Sequence, residues 1–209
     1  MTDPDASLLL KEPHEIFRLL VNISAPAGSP TLHYEEEAYR IVKALIEQQA
    51  VIHTELGTFE DLIGTAKKQK KPVSGIHFSG HGGRGALDFE DDFGESAKVE
   101  TETMVKRLRA ELLSGMPPFF YLASCHSNSP ANTDEQQAGS EGSAVQLHKA
   151  GVAEVLGYFG PIQDELSTVA EAAFYKAASQ GMPTRYAVRQ ARNAVQQIEM
   201  SRPSSACKV

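Results

Sequence analysis

Among 209 residues there are only two cysteines, Cys125 and Cys207. No apolar run approaches the roughly 18 to 20 residues needed to span a bilayer. One cysteine follows an apolar run and the other lies in a polar tail, so the pair makes no disulfide framework and Cys125 is left free to react. The N-terminus, Met1-Thr2-Asp3-Pro4-Asp5, carries no basic stretch of the kind that opens a secretory signal. A cytosolic protein with no membrane contact is the expectation. Basic residues are not in excess either: 20 Lys and Arg against 27 Asp and Glu give a net charge of −7, which argues against a nucleic-acid partner. There is no internal repeat, no C-x-x-C or H-E-x-x-H pattern that would mark zinc, and no phosphate-cradling glycine loop in Ser24-Ala25-Pro26-Ala27-Gly28. No cofactor and no metal are therefore expected.

What is present is an ordinary globular balance, 41% apolar and 22% charged, in a chain of single-domain length. A polar leader over 1–15 and a flexible tail over 201–209 bracket one domain over 16–200. Within it, apolar runs bounded by turn residues alternate with stretches of helical period. Ile16 to Ile23 reads as a strand, and Tyr34, Ala38, Ile41, Val42, Leu45 and Ile46 as the apolar face of a helix whose first turn holds Glu35, Glu36 and Glu37. A strand over 50–56, a helix over 59–70, the strand ending at His81, a helix through Met104 to Leu112, and the strand ending at Cys125 follow. Then come a short helix over 144–149, a strand over 153–159 and two closing helices broken at Gly181. The acidic stretch from Arg84 to Ser96 reads as a loop or small hairpin, and Ser127 to Gly142 as a loop. This alternation predicts an α/β fold: a three-layer sandwich with a mostly parallel central sheet and helices on both faces.

Two of the strands end on reactive side chains. Val73-Ser74-Gly75-Ile76-His77-Phe78-Ser79-Gly80 delivers His81, and Phe119-Phe120-Tyr121-Leu122-Ala123-Ser124 delivers Cys125. Parallel neighbours end on one edge of a sheet, so an imidazole and a thiol 44 positions apart can meet there. A thiolate attacks carbonyls, an imidazole shuttles its proton, and backbone amides at a glycine turn can hold the oxyanion; Gly82 and Cys125 are the candidate donors. His77, lying on the strand itself, reads instead as a core histidine satisfied by hydrogen bonds. The bland reading of Cys125 is a strand-end thiol that only packs. Asp164 reads equally as the N-cap of the helix it precedes.

The runs His77-Phe78-Ser79-Gly80-His81-Gly82-Gly83, Tyr121-Leu122-Ala123-Ser124-Cys125 and Gly157-Tyr158-Phe159-Gly160-Pro161-Ile162-Gln163-Asp164-Glu165 resemble, in order and spacing, the CHAT domain of caspase-like cysteine peptidases. Phe174-Tyr175, Gly181-Met182-Pro183 and Ala187 to Arg192 resemble that family's closing helices. The resemblance implies a caspase-like fold, His81 and Cys125 as the catalytic pair, Gly82 as the oxyanion glycine, and hydrolysis of a protein substrate. It implies Asp164 as a substrate-binding residue facing a basic side chain, and a regulated effector of defence or signalling. Many members carry a fused sensor domain or answer to a regulatory partner, and none is visible here. A catalytically inactive peptide-binding module is the alternative; intact His81, Gly82 and Cys125 count against it.

Overall fold

The structure is a computed structural model and describes residues 17–29, 34–46, 50–83, 85–112, 115–125, 127 and 141–201, without the side chains of 54–56. Among these residues five parallel strands form the central sheet: β1 (Phe17–Ile23), β2 (Ala50–Leu56), β3 (Gly75–Ser79), β7 (Phe119–Ala123) and β8 (Glu154–Leu156), in the order β2-β1-β3-β7-β8. From β1 the chain moves outward to β2, crosses back over β1 to β3, and then proceeds outward through β7 to β8. The change of direction falls between β1 and β3, where open parallel sheets place their clefts. A second sheet, antiparallel, is built from β4 (Gly82–Gly83), β5 (Ala86–Glu90) and β6 (Ser96–Glu100). It is the hairpin that the acidic stretch admitted, and Asp91 closes its tip by accepting from the amides of Phe93 and Glu95 at 2.8 and 2.9 Å.

Side chains alternate across the strands and sort the core into two halves. Leu20, Ile76, Phe78, Phe120 and Leu122 point to one face. There they pack on α2 (Phe59–Lys68), α3 (Thr101–Glu111) and α4 (Ser143–Lys149), together with Leu87 and Phe89 of β5. Phe17, Leu19, Val21, Ile23, Phe119 and Tyr121 point the other way. They meet α1 (Tyr34–Leu45), α5 (Asp164–Ser179) and α6 (Thr184–Ser201). The expected three-layer α/β sandwich is what is found. At element ends local rules hold: Thr58 caps α2 by accepting from the Asp61 amide at 3.0 Å, and α5 stops at Gly181, whose φ of 78° suits glycine. The expected leader and the tail after Ser201, with Cys207, lie outside the described residues, as do His126 and most of the 127–142 loop.

Candidate active site

β3 and β7 run in register, with Ser79 opposite Ala123. His81 and Cys125 each stand two residues past that pair on strands about 4.8 Å apart, so both leave the same edge of the sheet. The strand ends are held together beyond the ladder: the Gly80 amide donates to the Ala123 carbonyl at 3.2 Å. Gly82 lies flat against Ser124, since a Cβ added there would stand 3.0 Å from both Cβ and Oγ of Ser124. His81, Gly82 and Cys125 are all half-buried. The His81 carbonyl accepts from the Asp88 amide at 3.0 Å, which ties the residue to the hairpin.

A third segment joins these two. The Ile162 carbonyl oxygen lies 4.0 Å from Cys125 Sγ, so the stretch between β8 and α5 walls the thiol. The same stretch is pinned at its start, where the Tyr158 amide donates to Ser127 Oγ at 3.1 Å while Ser127 Oγ donates to the Ser124 carbonyl at 2.9 Å. Asp164 follows two residues after Ile162, half-exposed, as the first residue of α5. The N-cap position belongs to Gln163, not Asp164, and Asp164's carbonyl accepts from Thr168 Oγ1 at 3.0 Å.

Beneath this edge, on the α1/α5/α6 side, lies a buried polar network. His77 Nε2 stands 3.0 Å from Glu37 Oε1 and 3.8 Å from Glu171 Oε2, and His77 Nδ1 stands 3.0 Å from the Tyr175 hydroxyl. Ser79 Oγ donates to Glu37 Oε2 at 2.7 Å, and Ser167 Oγ donates to Glu171 Oε1 at 2.5 Å. The Tyr158 hydroxyl lies 3.2 Å from both Ser167 Oγ and the Tyr121 hydroxyl. None of Glu37, His77 and Glu171 is more than 2% exposed. Burial, then repulsion from Glu37, holds the Glu171 carboxyl well above the ordinary range, so it keeps its proton. Burial would also raise Glu37, but the hydrogen bond and charge of His77, with bonds from Glu171 and Ser79, outweigh it and hold Glu37 low. Glu37, His77 and Glu171 offer three ligand atoms within 4.8 Å of one another, close enough to converge on a cation. A proton held by Glu171 accounts for the same convergence without a cation, with Glu171 Oε2 left 3.8 Å from His77 Nε2, beyond hydrogen-bond distance.

A family model, the CHAT domain, matches residues 2–205. The chain belongs to the CHAT domain family. Among solved structures it is similar to gingipain R, an Arg-specific cysteine proteinase, at 12% identity and a TM-score of 0.56; the match covers 88% of this chain and 43% of that one. This CHAT domain thus spans less than half of that proteinase's length and shares its fold. Comparison with curated proteins gives no match.

Among the described residues, cavities lie away from His81 and Cys125. One of 680 Å³ opens at the free edge of β8 between α4 and α6, and one of 380 Å³ lies behind Ile162 and Phe159 against α6; neither is lined by His81 or Cys125. His77 sits in the core with both ring nitrogens engaged, as its strand position led one to expect. Sequence reasoning missed Glu37, Glu171 and Ile162. The two glutamates carried a readable sign: Glu37 falls on the stripe of Ile41 and Leu45, and Glu171 on that of Phe174 and Ala178. A carboxylate on an apolar stripe demands a buried partner.

Proposed function

We propose that this chain is a cysteine endopeptidase that hydrolyses peptide bonds in a protein substrate. The observation that carries the reading is the matched pair of strand ends, with His81 and Cys125 each two residues past the Ser79–Ala123 register. His81 takes the thiol proton, and Cys125 Sγ attacks the scissile carbonyl carbon. The resulting oxyanion is held by the backbone N–H groups of Gly82 and Cys125, and Gly82, having no side chain, leaves the approach open. His81 then gives the proton to the leaving amine, and a water activated by the same imidazole hydrolyses the thioester. Asp164 supports a preference for a basic residue before the cut, since it follows closely on the segment that walls Cys125. Membership of the CHAT family further supports a regulated effector in the cytoplasm, acting in defence or signalling, its activity set by a partner or a sensor.

Incubation with a peptide-based acyloxymethyl ketone, followed by mass spectrometry, tests the dyad. Selective modification of Cys125 that is lost in His81→Ala is the expected result. Equal labelling with and without His81 overturns the assignment. On a cleaved substrate, Asp164→Ala is expected to lose the preference for Arg or Lys; an unchanged cleavage profile removes Asp164 from the pocket.

A further inference from the structure

His81 is flanked by Gly80 and Gly82, the two least restrained backbone positions a chain can offer. What grips the chain on either side therefore bears on its direction, beside the Gly80 amide's bond to the Ala123 carbonyl. On the far side the hairpin does so, through the Asp88 amide on the His81 carbonyl. On the near side the last side chain before His81 is Ser79, and its hydroxyl is spent on one partner, Glu37 Oε2 at 2.7 Å. The other oxygen of Glu37 takes His77, two residues earlier on the same strand, at 3.0 Å. One carboxylate from α1 thus grips β3 at two points, both on the α1/α5/α6 face, and is itself fixed by burial at 2% exposure.

We propose that Glu37 is a positioning residue for His81, acting through Ser79 to hold the imidazole in reach of Cys125. The proposal rests on the peptidase reading above. Glu37 touches neither substrate nor reacting atoms; its part is to fix the glycine-flanked turn that bears the base. The charge on Glu37 matters because a carboxylate accepts the Ser79 proton more strongly than a neutral group does. The remaining contacts of the network supply the counterpart: Glu171 and Ser167 lean on Tyr158, which starts the segment that reaches Cys125. The base and the wall of the nucleophile are in this way tied to one buried set of hydrogen bonds.

The rate at which a peptide acyloxymethyl ketone labels Cys125 in the full chain tests it. That rate is measured with and without His81→Ala, and the difference between the two reports how well the ring reaches the thiol. In the wild type a clear difference is expected. Ser79→Ala, which deletes only the hydroxyl, should reduce it several-fold, Ser79→Thr should restore it, and Glu37→Gln, which keeps an acceptor but not the charge, should fall between. Leu108→Ala, a core deletion on the opposite face, controls for lost stability and should leave the difference intact. A wild-type difference that survives Ser79→Ala and Glu37→Gln overturns the positioning role while the dyad stands. Equal losses in Ser79→Ala and Leu108→Ala overturn it too, as a general effect of destabilisation. No difference in the wild type sinks the dyad reading and the positioning role together.

Discussion

The two faces of the central sheet are packed by opposite means. Against α2, α3 and α4 the core is hydrocarbon, with the rings of Phe78 and Phe89 tilted at 52° to each other and 4.9 Å apart between centres. A polar link there, Thr101 Oγ1 to Ser143 Oγ at 2.8 Å, joins the starts of two helices rather than the sheet. Against α1, α5 and α6 the sheet carries an imidazole and a phenol, answered by two carboxyls and further hydroxyls. Hydrocarbon packing tolerates small slips because one apolar contact substitutes for another. A hydrogen-bonded network does not, since a displaced donor leaves an unmet acceptor in a medium without water. The half of the core that ties β3, Tyr121 of β7 and the Tyr158 segment together is the half built from directional bonds.

Single deletions on the two faces should then cost alike but behave differently. Phe78→Ala should destabilise by about 3–5 kcal/mol, with the melting curve lowered equally at every pH, because only transfer and cavity terms are lost. Glu37→Ala should also cost about 3–5 kcal/mol, as expected when one partner of a buried pair is removed, yet its loss should vary with pH. Parallel pH dependence in the two variants, read by thermal unfolding, would break the distinction. The next effect is smaller. Glu171 is held above its unfolded value, so its contribution is full below the ordinary carboxyl range and is lost as pH rises towards its native value, by at most about 1.4 kcal/mol per pH unit. Glu37, held below its unfolded value, loses its contribution as pH falls. Melting temperature should therefore peak at mildly acidic pH, and Glu171→Gln should flatten the alkaline limb; an unaltered limb would show that Glu171 is ionised in the fold. The smallest effect belongs to Asn22, which by alternation faces the hydrocarbon side and finds no partner for either amide atom among the described residues. Asn22→Val should be neutral or stabilising by up to about 1 kcal/mol, because the amide's desolvation is uncompensated. A loss larger than that would mean that the hydrocarbon side has its own polar partner for Asn22.

Much of the fold was legible because the interior strands are buried on both faces and read as near-continuous apolar runs. Those reaching His81 and Cys125 each stop at the small residues before them, at Ser79 and Ala123, and the edge strand β2 is the stretch over 50–56 residue for residue, although His53, Thr54 and Glu55 interrupt its apolar character. β8 is shorter than its apolar run, Glu154–Leu156 rather than 153–159, because the chain after Leu156 turns away to reach Ser127 and Cys125. The polar half of the core was not legible in the same way. Glu37 looked like a first-turn acid answering the helix dipole, beside Glu35 and Glu36, and only the approach of β3 shows that it alone of the three turns inward. Ile162 contributes a carbonyl, and a backbone atom leaves no mark on residue type.

The placement of His81 and Cys125 just past the ends of β3 and β7 has a bearing on how the molecule opens. Both strands are interior, with β2 and β8 at the margins of the sheet. Slow opening of a native protein starts where few hydrogen bonds must break at once, and the margins can exchange their amides while the centre stays closed. Amide protons of β3 and β7 should accordingly be among the last to exchange with solvent, and the paired strand ends from which His81 and Cys125 depart should outlast openings at the margins of the sheet.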